Sequence, residues 1–181
     1  MIKDDLKKIL ITESQIQERC KVLGKKLDKE IAGMRSPVLF VGVLKGSIPF
    51  MAELIKRIES DIEIDFMAVS SYSGTESVGD IKIIKDLDHS VADRDLVLVE
   101  DIIDTGITIR ELKKLLYNKG AHDVKVVTLL DKPSRRKVDV EADYTGFEVE
   151  NEFVVGFGLD YDEKYRNLPY VGVLKPEVYT H

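Results

Sequence analysis

The sequence has only one cysteine, Cys20, and no tryptophan among its 181 residues. A single cysteine excludes an intramolecular disulfide and a zinc site built from cysteines, and it indicates a reducing compartment. The chain also lacks an apolar run long enough to span a membrane, and its first residues, MIKDDLKKILITESQ, are too charged for a secretory signal. We therefore expect a cytoplasmic protein.

Positive charge is in short supply as well, because 27 lysines and arginines face 33 aspartates and glutamates, for a net charge of -6. That balance argues against broad binding to nucleic acid or to an anionic membrane. The expected partner is a small molecule. No segment has the low complexity of a disordered tail, and the length fits one ordered domain over residues 1–181.

Short apolar runs rich in β-branched residues predict buried strands at 37–44, 96–99, 124–130 and 153–159. Helical patterns follow the first two, as SIPFMAELIKRI and as ITIRELKKLLYNKG, the latter closed by Gly120. An amphipathic helix with a capping box of Thr12 and Gln15 precedes them and ends near Gly33. This alternation predicts an α/β fold with a mostly parallel sheet flanked by helices and a ligand site at the carboxyl ends of the strands.

Two further segments, IEIDFMAVSSY (62–72) and DIKIIKDL (80–87), predict a pair of strands joined by a small, polar, glycine-containing connector. That connector is typical of a mobile lid and equally of an ordinary solvated turn. Residues 134–150 have the pattern of a surface connection with an edge strand.

The most informative stretch is LVLVEDIIDTGITIRELKKLL, residues 96–116, where a strand gives way to a helix. Thr105, Gly106 and Thr108 lie at that junction, where backbone N–H groups, hydroxyls and the helix N-terminus suit one phosphate. The spacing matches neither a P-loop nor a dinucleotide fingerprint. Glu100 and Asp101, just before it, call for a vicinal diol, a divalent cation, or both. A phosphate beside a diol suggests a ribose 5-phosphate.

Other interpretations fit parts of the same stretch. Asp104-Thr105-Gly106 is also the aspartic-protease triplet, but that chemistry needs two copies across a dyad, and here a helix follows at once. An acidic pair at a strand end occurs in receiver domains, yet no matching phosphorylatable aspartate with a partner lysine is evident. A simple capped helix start with an acidic turn is the remaining alternative, and the density of polar and glycine positions argues against it.

VLVEDIIDTGIT closely resembles the phosphoribosyl-diphosphate-binding motif of the phosphoribosyltransferases. Further segments are similar to bacterial members of the hypoxanthine-guanine branch over nearly the full length: GVLKGSIPFMAEL, DFMAVSSY, KIIKDLD, TLLDKPSRRK and VGFGLDYDEKYRNLPYVGVLKPEVY. The resemblance implies a type I phosphoribosyltransferase fold, with a small hood formed by the N-terminal and C-terminal segments and a mobile hairpin lid at about 70–80.

The resemblance also implies the activity, which is purine salvage. A 5-phosphoribosyl group passes from phosphoribosyl diphosphate to hypoxanthine or guanine, giving IMP or GMP and diphosphate. Mg²⁺ is the implied cofactor, and a homo-oligomer, a dimer or tetramer, is the implied assembly. Glu100 and Asp101 would hold the ribose hydroxyls and magnesium, and Asp104 would be the general base on the purine. The 5-phosphate loop would comprise Asp104, Thr105, Gly106, Ile107 and Thr108.

The remaining site residues follow from the same resemblance. Lys45 and Gly46 match the diphosphate loop, in which relatives have a cis peptide before the lysine, and Arg166 would pair with the diphosphate. Ser71 and Tyr72 match the lid hairpin over the same group. Lys132 would bind the purine 6-oxo group, Phe153 would stack on the ring, and Val154 would meet its far edge. Asp160 would lie at the purine site and help to hold a second magnesium.

A regulator that senses phosphoribosyl diphosphate and binds nucleic acid on the same fold is the alternative from another functional class. Asp104, Lys132 and Phe153 are all present, and the chain has no basic excess. These features favour the salvage enzyme.

Overall fold

The computed structural model describes residues 2–71 and 81–180, which form two β-sheets and the helices that cover them. The strands are β1 (Leu6–Ile11), β2 (Val38–Leu44), β3 (Ile62–Ser71), β4 (Ile81–Lys85), β5 (Asp95–Ile103), β6 (Asp123–Asp131), β7 (Tyr144–Glu148), β8 (Val154–Val155) and β9 (Val171–Leu174). The α-helices are α1 (Glu13–Ile31), α2 (Ile48–Ile55), α3 (Ile107–Asn118) and α4 (Pro176–Tyr179), and short 3-10 turns lie at Ile2–Asp5 and Pro133–Arg135.

The larger sheet has the strand order β4-β3-β2-β5-β6-β7 and is parallel except for β4, which pairs antiparallel with β3. The predicted strands at 37–44, 96–99 and 124–130, the paired strands flanking 72–80 and the edge strand within 134–150 are thereby confirmed. β5 extends beyond the apolar run, because Glu100 continues the ladder opposite Thr128 of β6. The acidic pair thus belongs to the strand itself and does not follow it.

Helices cover both faces of this sheet, as the alternation of elements predicts. α1 and α2 pack with alternate residues of β2 and β5 in one buried cluster, and α3 packs with the opposite set of residues in a second. The predicted capping box of α1 is present: the Gln15 N–H donates to Thr12 Oγ1 at 3.3 Å, and the Thr12 N–H donates to Gln15 Oε1 at 2.8 Å. The helix ends at Ile31, two residues before Gly33.

None of the helices in the described part of the chain combines the length and the apolar character needed to cross a membrane.

The second sheet is antiparallel and has the order β1-β9-β8. The prediction of a buried strand over 153–159 is wrong in its extent, since only Val154 and Val155 are strand residues and they belong to this second sheet. Gly156 and Gly158 have φ angles of 99° and 100°, so the chain turns where the apolar run continues. Val154 nevertheless packs in the same buried cluster as α1, which joins the two sheets through one core.

Candidate active site

The loops that follow β2, β5 and β6 meet at one edge of the larger sheet. These strands are parallel neighbours, so their carboxyl ends lie side by side. Lys45 and Gly46 follow β2, Asp104 to Thr108 join β5 to α3, and Lys132 follows β6. The structure therefore brings together three segments that are spread over residues 45 to 132 of the sequence.

The junction between β5 and α3 forms a small concave loop. Gly106 is the N-cap of α3 and has a φ angle of 81°, a left-handed conformation that favours glycine. A Cβ atom at this position would also overlap the side chains of Val140 and Arg136. The loop lines a pocket of about 220 Å³, the loop pocket, formed by Glu100, Asp101, Ile102, Ile103, Asp104, Thr105, Gly106, Thr108 and Ile109. Ile107 begins the helix, and its N–H lies 3.4 Å from Thr105 Oγ1.

Glu100, which is buried, and Asp101, which is partly buried, form a carboxylate pair in the wall of the loop pocket. Burial raises the pKa of Glu100 well above its ordinary value, and the charge of Asp101 raises it further. Burial also raises the pKa of Asp101 to about 6, although the Ile102 N–H, which donates to Asp101 Oδ1 at 2.8 Å, acts in the opposite direction. Two adjacent carboxylates that resist ionisation together are suited to a bound cation or to the hydroxyls of a diol.

The loop after β2 is pressed against this carboxylate pair. The Leu44–Lys45 peptide is cis, as the resemblance predicts. A Cβ atom on Gly46 would overlap the Asp101 carboxylate, and one on Gly158 would overlap the Gly46 carbonyl oxygen. Glycine is therefore required at 46 to let the backbone approach Asp101.

Lys45 and Arg166, the two basic residues among the predicted diphosphate ligands, pair with the same carboxylate in this structure. Lys45 Nζ lies 2.6 Å from Glu163 Oε2, and Arg166 Nη2 lies 3.0 Å from Glu163 Oε1. Arg166 Nη1 also lies 3.0 Å from Asp160 Oδ1. Sequence reasoning missed Glu163, because the lysine it binds is distant in the chain and only the fold brings the two together.

A second pocket, the ring pocket, lies next to the loop pocket. It encloses about 400 Å³ and is lined by Ile102, Asp104, Lys132, Arg135, Asn151, Glu152, Phe153, Val154, Leu159, Asp160 and Tyr179. Lys132 is buried, which lowers its pKa, and its Nζ donates to the Glu152 carbonyl oxygen at 2.7 Å. Phe153 is 37% exposed and stacks on Tyr179 with ring centroids 4.7 Å apart. The pocket thus combines an aromatic ring with a buried ammonium group.

Asp104 lines both pockets, and its carboxylate Oδ1 accepts a hydrogen bond from Arg135 Nε at 3.0 Å. Arg135 was not among the predicted site residues. It was missed because a run of basic residues after a strand looks the same in sequence whether it lines a site or forms a solvated surface turn.

The predicted lid is described only at its margins. Ser71 is the last residue of β3 and pairs with Ile81 of β4. Tyr72, like the rest of the connector up to residue 80, lies outside the described residues.

These features define the class of protein: an α/β fold with two adjoining pockets, rich in charged residues, at the carboxyl edge of its parallel sheet. The comparisons with known proteins agree. The chain belongs to the phosphoribosyl transferase domain family, whose model matches residues 12–162.

Individual relatives are similar over nearly the whole chain. The sequence is 53% identical over 179 residues to the hypoxanthine-guanine phosphoribosyltransferase of Staphylococcus aureus (strain Mu50), covering 98% of this chain and 99% of that protein. It is 58% identical over 176 residues to the hypoxanthine-guanine phosphoribosyltransferase of Lactococcus lactis, covering 97% and 94%. A crystal structure of a hypoxanthine phosphoribosyltransferase from Staphylococcus aureus matches with a TM-score of 0.94 and 52% identity, covering 99% and 97% of the two chains. The predicted family and its type I fold are confirmed.

Proposed function

We propose that the protein is a purine-salvage transferase that moves the 5-phosphoribosyl group of phosphoribosyl diphosphate to hypoxanthine or guanine. The products are IMP or GMP and diphosphate. The observation that carries this proposal is the place of Asp104, which lines both the loop pocket and the ring pocket. A reaction that joins a purine nitrogen to a ribose needs a proton acceptor where the two substrates meet.

The ring pocket supports a 6-oxopurine as the acceptor. Lys132 would donate to the 6-oxo oxygen, while the amino group of adenine would leave a buried ammonium facing another donor. Phe153 offers a partly exposed ring for stacking on the base. Val154 and Asp160 line the same pocket and would contact the edge of the purine.

The loop pocket supports the ribosyl 5-phosphate. Asp104, Thr105, Gly106, Ile107 and Thr108 would bind the phosphate through the turn and the start of α3. Glu100 and Asp101 would hold the ribose hydroxyls and a Mg²⁺ ion, since buried adjacent carboxylates are suitable ligands for that ion together with substrate oxygens. Asp160 would take part in holding a second Mg²⁺. When bound, Mg²⁺ neutralises the charge of the departing diphosphate.

The diphosphate would lie between the loop after β2 and the turn that carries Arg166. Lys45 and Arg166 supply positive charge there, and Gly46 gives the backbone close access. Ser71 and Tyr72 would complete this subsite as part of a lid at about 70–80, whose closure would exclude water from the reacting carbon.

We further propose that residues 1–181 act as one phosphoribosyltransferase domain, with the second sheet as its hood. The shared buried cluster of the two sheets supports this. Action in the cytoplasm is proposed because the donor substrate is highly charged and does not cross membranes unaided. A homo-oligomer, a dimer or tetramer, is proposed because the family resemblance implies one. Light scattering after gel filtration would measure the assembly.

A spectrophotometric assay with phosphoribosyl diphosphate and magnesium would test the reaction, offering hypoxanthine, guanine, xanthine and adenine in turn. We expect turnover of hypoxanthine or guanine and not of adenine, and a loss of at least about a hundredfold in Asp104→Asn. Binding of phosphoribosyl diphosphate without turnover of any purine would overturn the enzyme proposal and favour a regulator.

A further inference from the structure

Arg135 holds the carboxylate of the proposed general base. Its Nε lies 3.0 Å from Asp104 Oδ1, and the two side chains are 46% and 40% exposed. Among the described residues, no other cation forms an ion pair with Asp104. Lys132, the other cation that lines the ring pocket, donates instead to the Glu152 carbonyl oxygen.

The backbone segments that carry Arg135 and Asp104 are fixed to each other. Residues 132–137 run alongside residues 103–105, and hydrogen bonds join the two segments on either side of the Arg135–Asp104 pair. These bonds run from Lys132 N to Ile103 O (2.9 Å), from Arg136 Nη1 to Asp104 O (2.7 Å) and from Lys137 N to Thr105 O (2.9 Å). These hydrogen bonds allow little movement of the segment that carries Arg135 relative to the segment that carries Asp104.

The ion pair with Arg135 can matter for the orientation of the Asp104 carboxylate even though it matters little for the stability of the fold. An exposed pair of this kind contributes little to the stability of a fold. Proton transfer is far more demanding, because the accepting oxygen must lie within hydrogen-bond reach of the purine nitrogen in a narrow range of angles. A hydrogen bond to Oδ1 restricts rotation of the carboxylate and leaves Oδ2 available for the purine N–H.

We propose that Arg135 is a positioning residue that orients Asp104 for proton abstraction from the purine. The inference rests on the proposed function, in which Asp104 is the general base. Arg135 itself need not contact the reacting atoms, and its effect passes through the Asp104 carboxylate.

A double-mutant cycle on the full-length protein tests this, with the single-turnover rate with hypoxanthine as the readout. We expect Arg135→Ala to lower that rate by about tenfold, as part of the hundredfold or more that a positioned base supplies. In the Asp104→Asn background the same substitution should change the rate by less than twofold, because the group through which it acts is gone. The KM for phosphoribosyl diphosphate should stay within twofold, and Arg135→Lys should recover part of the rate.

The matched control is Arg110→Ala. Arg110 is equally exposed at 46% and also forms an ion pair through Nε, with Glu111 at 2.8 Å, so it reports the effect of losing a similar pair elsewhere. The single-turnover rate of Arg110→Ala with hypoxanthine should equal that of the unsubstituted protein. Equal losses from Arg135→Ala in both backgrounds, or no loss in either while Asp104→Asn is impaired, would overturn the inference and leave the proposed function intact. An unimpaired Asp104→Asn would instead overturn the assignment of the base.

Discussion

At the scale of single residues, Gly46 lies so close to Asp101 that the effect of replacing it can be predicted. Gly46→Ala would drive a methyl group into the Asp101 carboxylate, so either the loop after β2 or the carboxylate pair must shift. We expect kcat/KM for phosphoribosyl diphosphate to fall by about a hundredfold, since displacement of a site by 1 Å can cost that much. Steady-state kinetics with hypoxanthine at saturation would measure it.

Gly33→Ala is the matched control, because a Cβ atom there would meet only the Glu30 carbonyl oxygen at an ordinary 3.6 Å. Its kinetics should equal those of the unsubstituted protein. If Gly46→Ala were equally active, the loop after β2 would not need the contact with Asp101, and the placement of the diphosphate there would be wrong.

Glu163 leads to a second prediction at this scale, because its carboxylate pairs with both of the basic residues proposed to bind the diphosphate. The hydrogen bonds from Lys45 and, to a smaller extent, from Arg166 hold the pKa of Glu163 below its ordinary value, so the side chain is an anion at neutral pH. If diphosphate binds Lys45 and Arg166 as proposed, it must replace the Glu163 carboxylate. We expect Glu163→Gln to lower the Kd for inorganic diphosphate by about threefold to fivefold, in keeping with the weak energy of exposed ion pairs. Isothermal titration calorimetry would measure the change.

Glu18→Gln provides the comparison, since Glu18 is an exposed glutamate whose partner, Lys21, lies 3.1 Å away and far from the site in the chain. Weaker binding of diphosphate by Glu163→Gln would contradict the prediction. Glu163 would then hold Lys45 and Arg166 in place for the ligand and would not compete with it.

At the scale of elements, Arg136 links the segment after β6 to the turn after β5. Its Nη1 donates to the Asp104 carbonyl oxygen at 2.7 Å and its Nη2 to Asp131 Oδ1 at 2.5 Å, with both side chains largely buried. Arg136→Ala should lower the free energy of unfolding by about 2 kcal/mol, because a largely buried carboxylate loses its partner. The KM for phosphoribosyl diphosphate should rise, because the turn proposed to bind the 5-phosphate loses the hydrogen bond from Arg136 to the Asp104 carbonyl oxygen.

Urea unfolding followed by circular dichroism would give the stability, and steady-state kinetics the KM. Lys137→Ala is the control, since that side chain is exposed and the backbone bond of Lys137 to Thr105 remains. A stable Arg136→Ala with an unchanged KM would mean that the backbone bonds alone hold the two segments together.

The elements also differ in how far the sequence could predict them. β2, β5 and β6 are central parallel strands, buried on both faces, and their continuous apolar runs were recognised as such. The run 153–159 has the same composition and yet folds as two strand residues and a turn. Its Gly156 and Gly158 take positive φ angles, which composition alone does not require of a glycine.

The candidate site divides in the same way. The junction proposed to bind the phosphate was predictable from the residues, because local spacing places Thr105, Gly106 and Thr108 where a strand gives way to a helix. The roles of Lys45 and Lys132 came from the family resemblance, since each alone is an ordinary lysine. Arg135 and Glu163 were missed because their partners, Asp104 and Lys45, are 31 and 118 residues away.

At the scale of the whole molecule, Asp95 joins three parts of the chain at the end of the sheet opposite the site. It is buried at the start of β5 and accepts a hydrogen bond from the Arg35 N–H at 2.7 Å, and its Oδ1 lies 2.5 Å from His122 Nδ1. Burial alone would raise the pKa of Asp95, but the Arg35 N–H and the His122 ring outweigh burial and hold the pKa below its ordinary value of 3.8. Asp95 should therefore make stability depend on pH.

The sign follows from linkage. Because folding lowers the pKa of Asp95, its contribution is fully present above the unfolded value of 3.8 and is lost as the pH falls through the folded value. Asp95→Asn should thus lower the free energy of unfolding by about 2 kcal/mol at pH 7, the usual worth of hydrogen bonds to a buried charge. The difference between the two proteins should stay constant down to about pH 5 and narrow below pH 4.

Urea unfolding at a series of pH values would measure this difference, with exposed Asp61→Asn as the control. A difference that grew as the pH fell would mean that protonated Asp95 is the form favoured by folding, so that burial dominates over its hydrogen bonds. A difference in free energy of unfolding that stayed constant at every pH would mean that Asp95→Asn is less stable because of altered packing or hydrogen-bond geometry. The charge of Asp95 would then not be the cause. Only a difference that narrows in acid ties the stability of the molecule to the Asp95 carboxylate and to the three segments it joins.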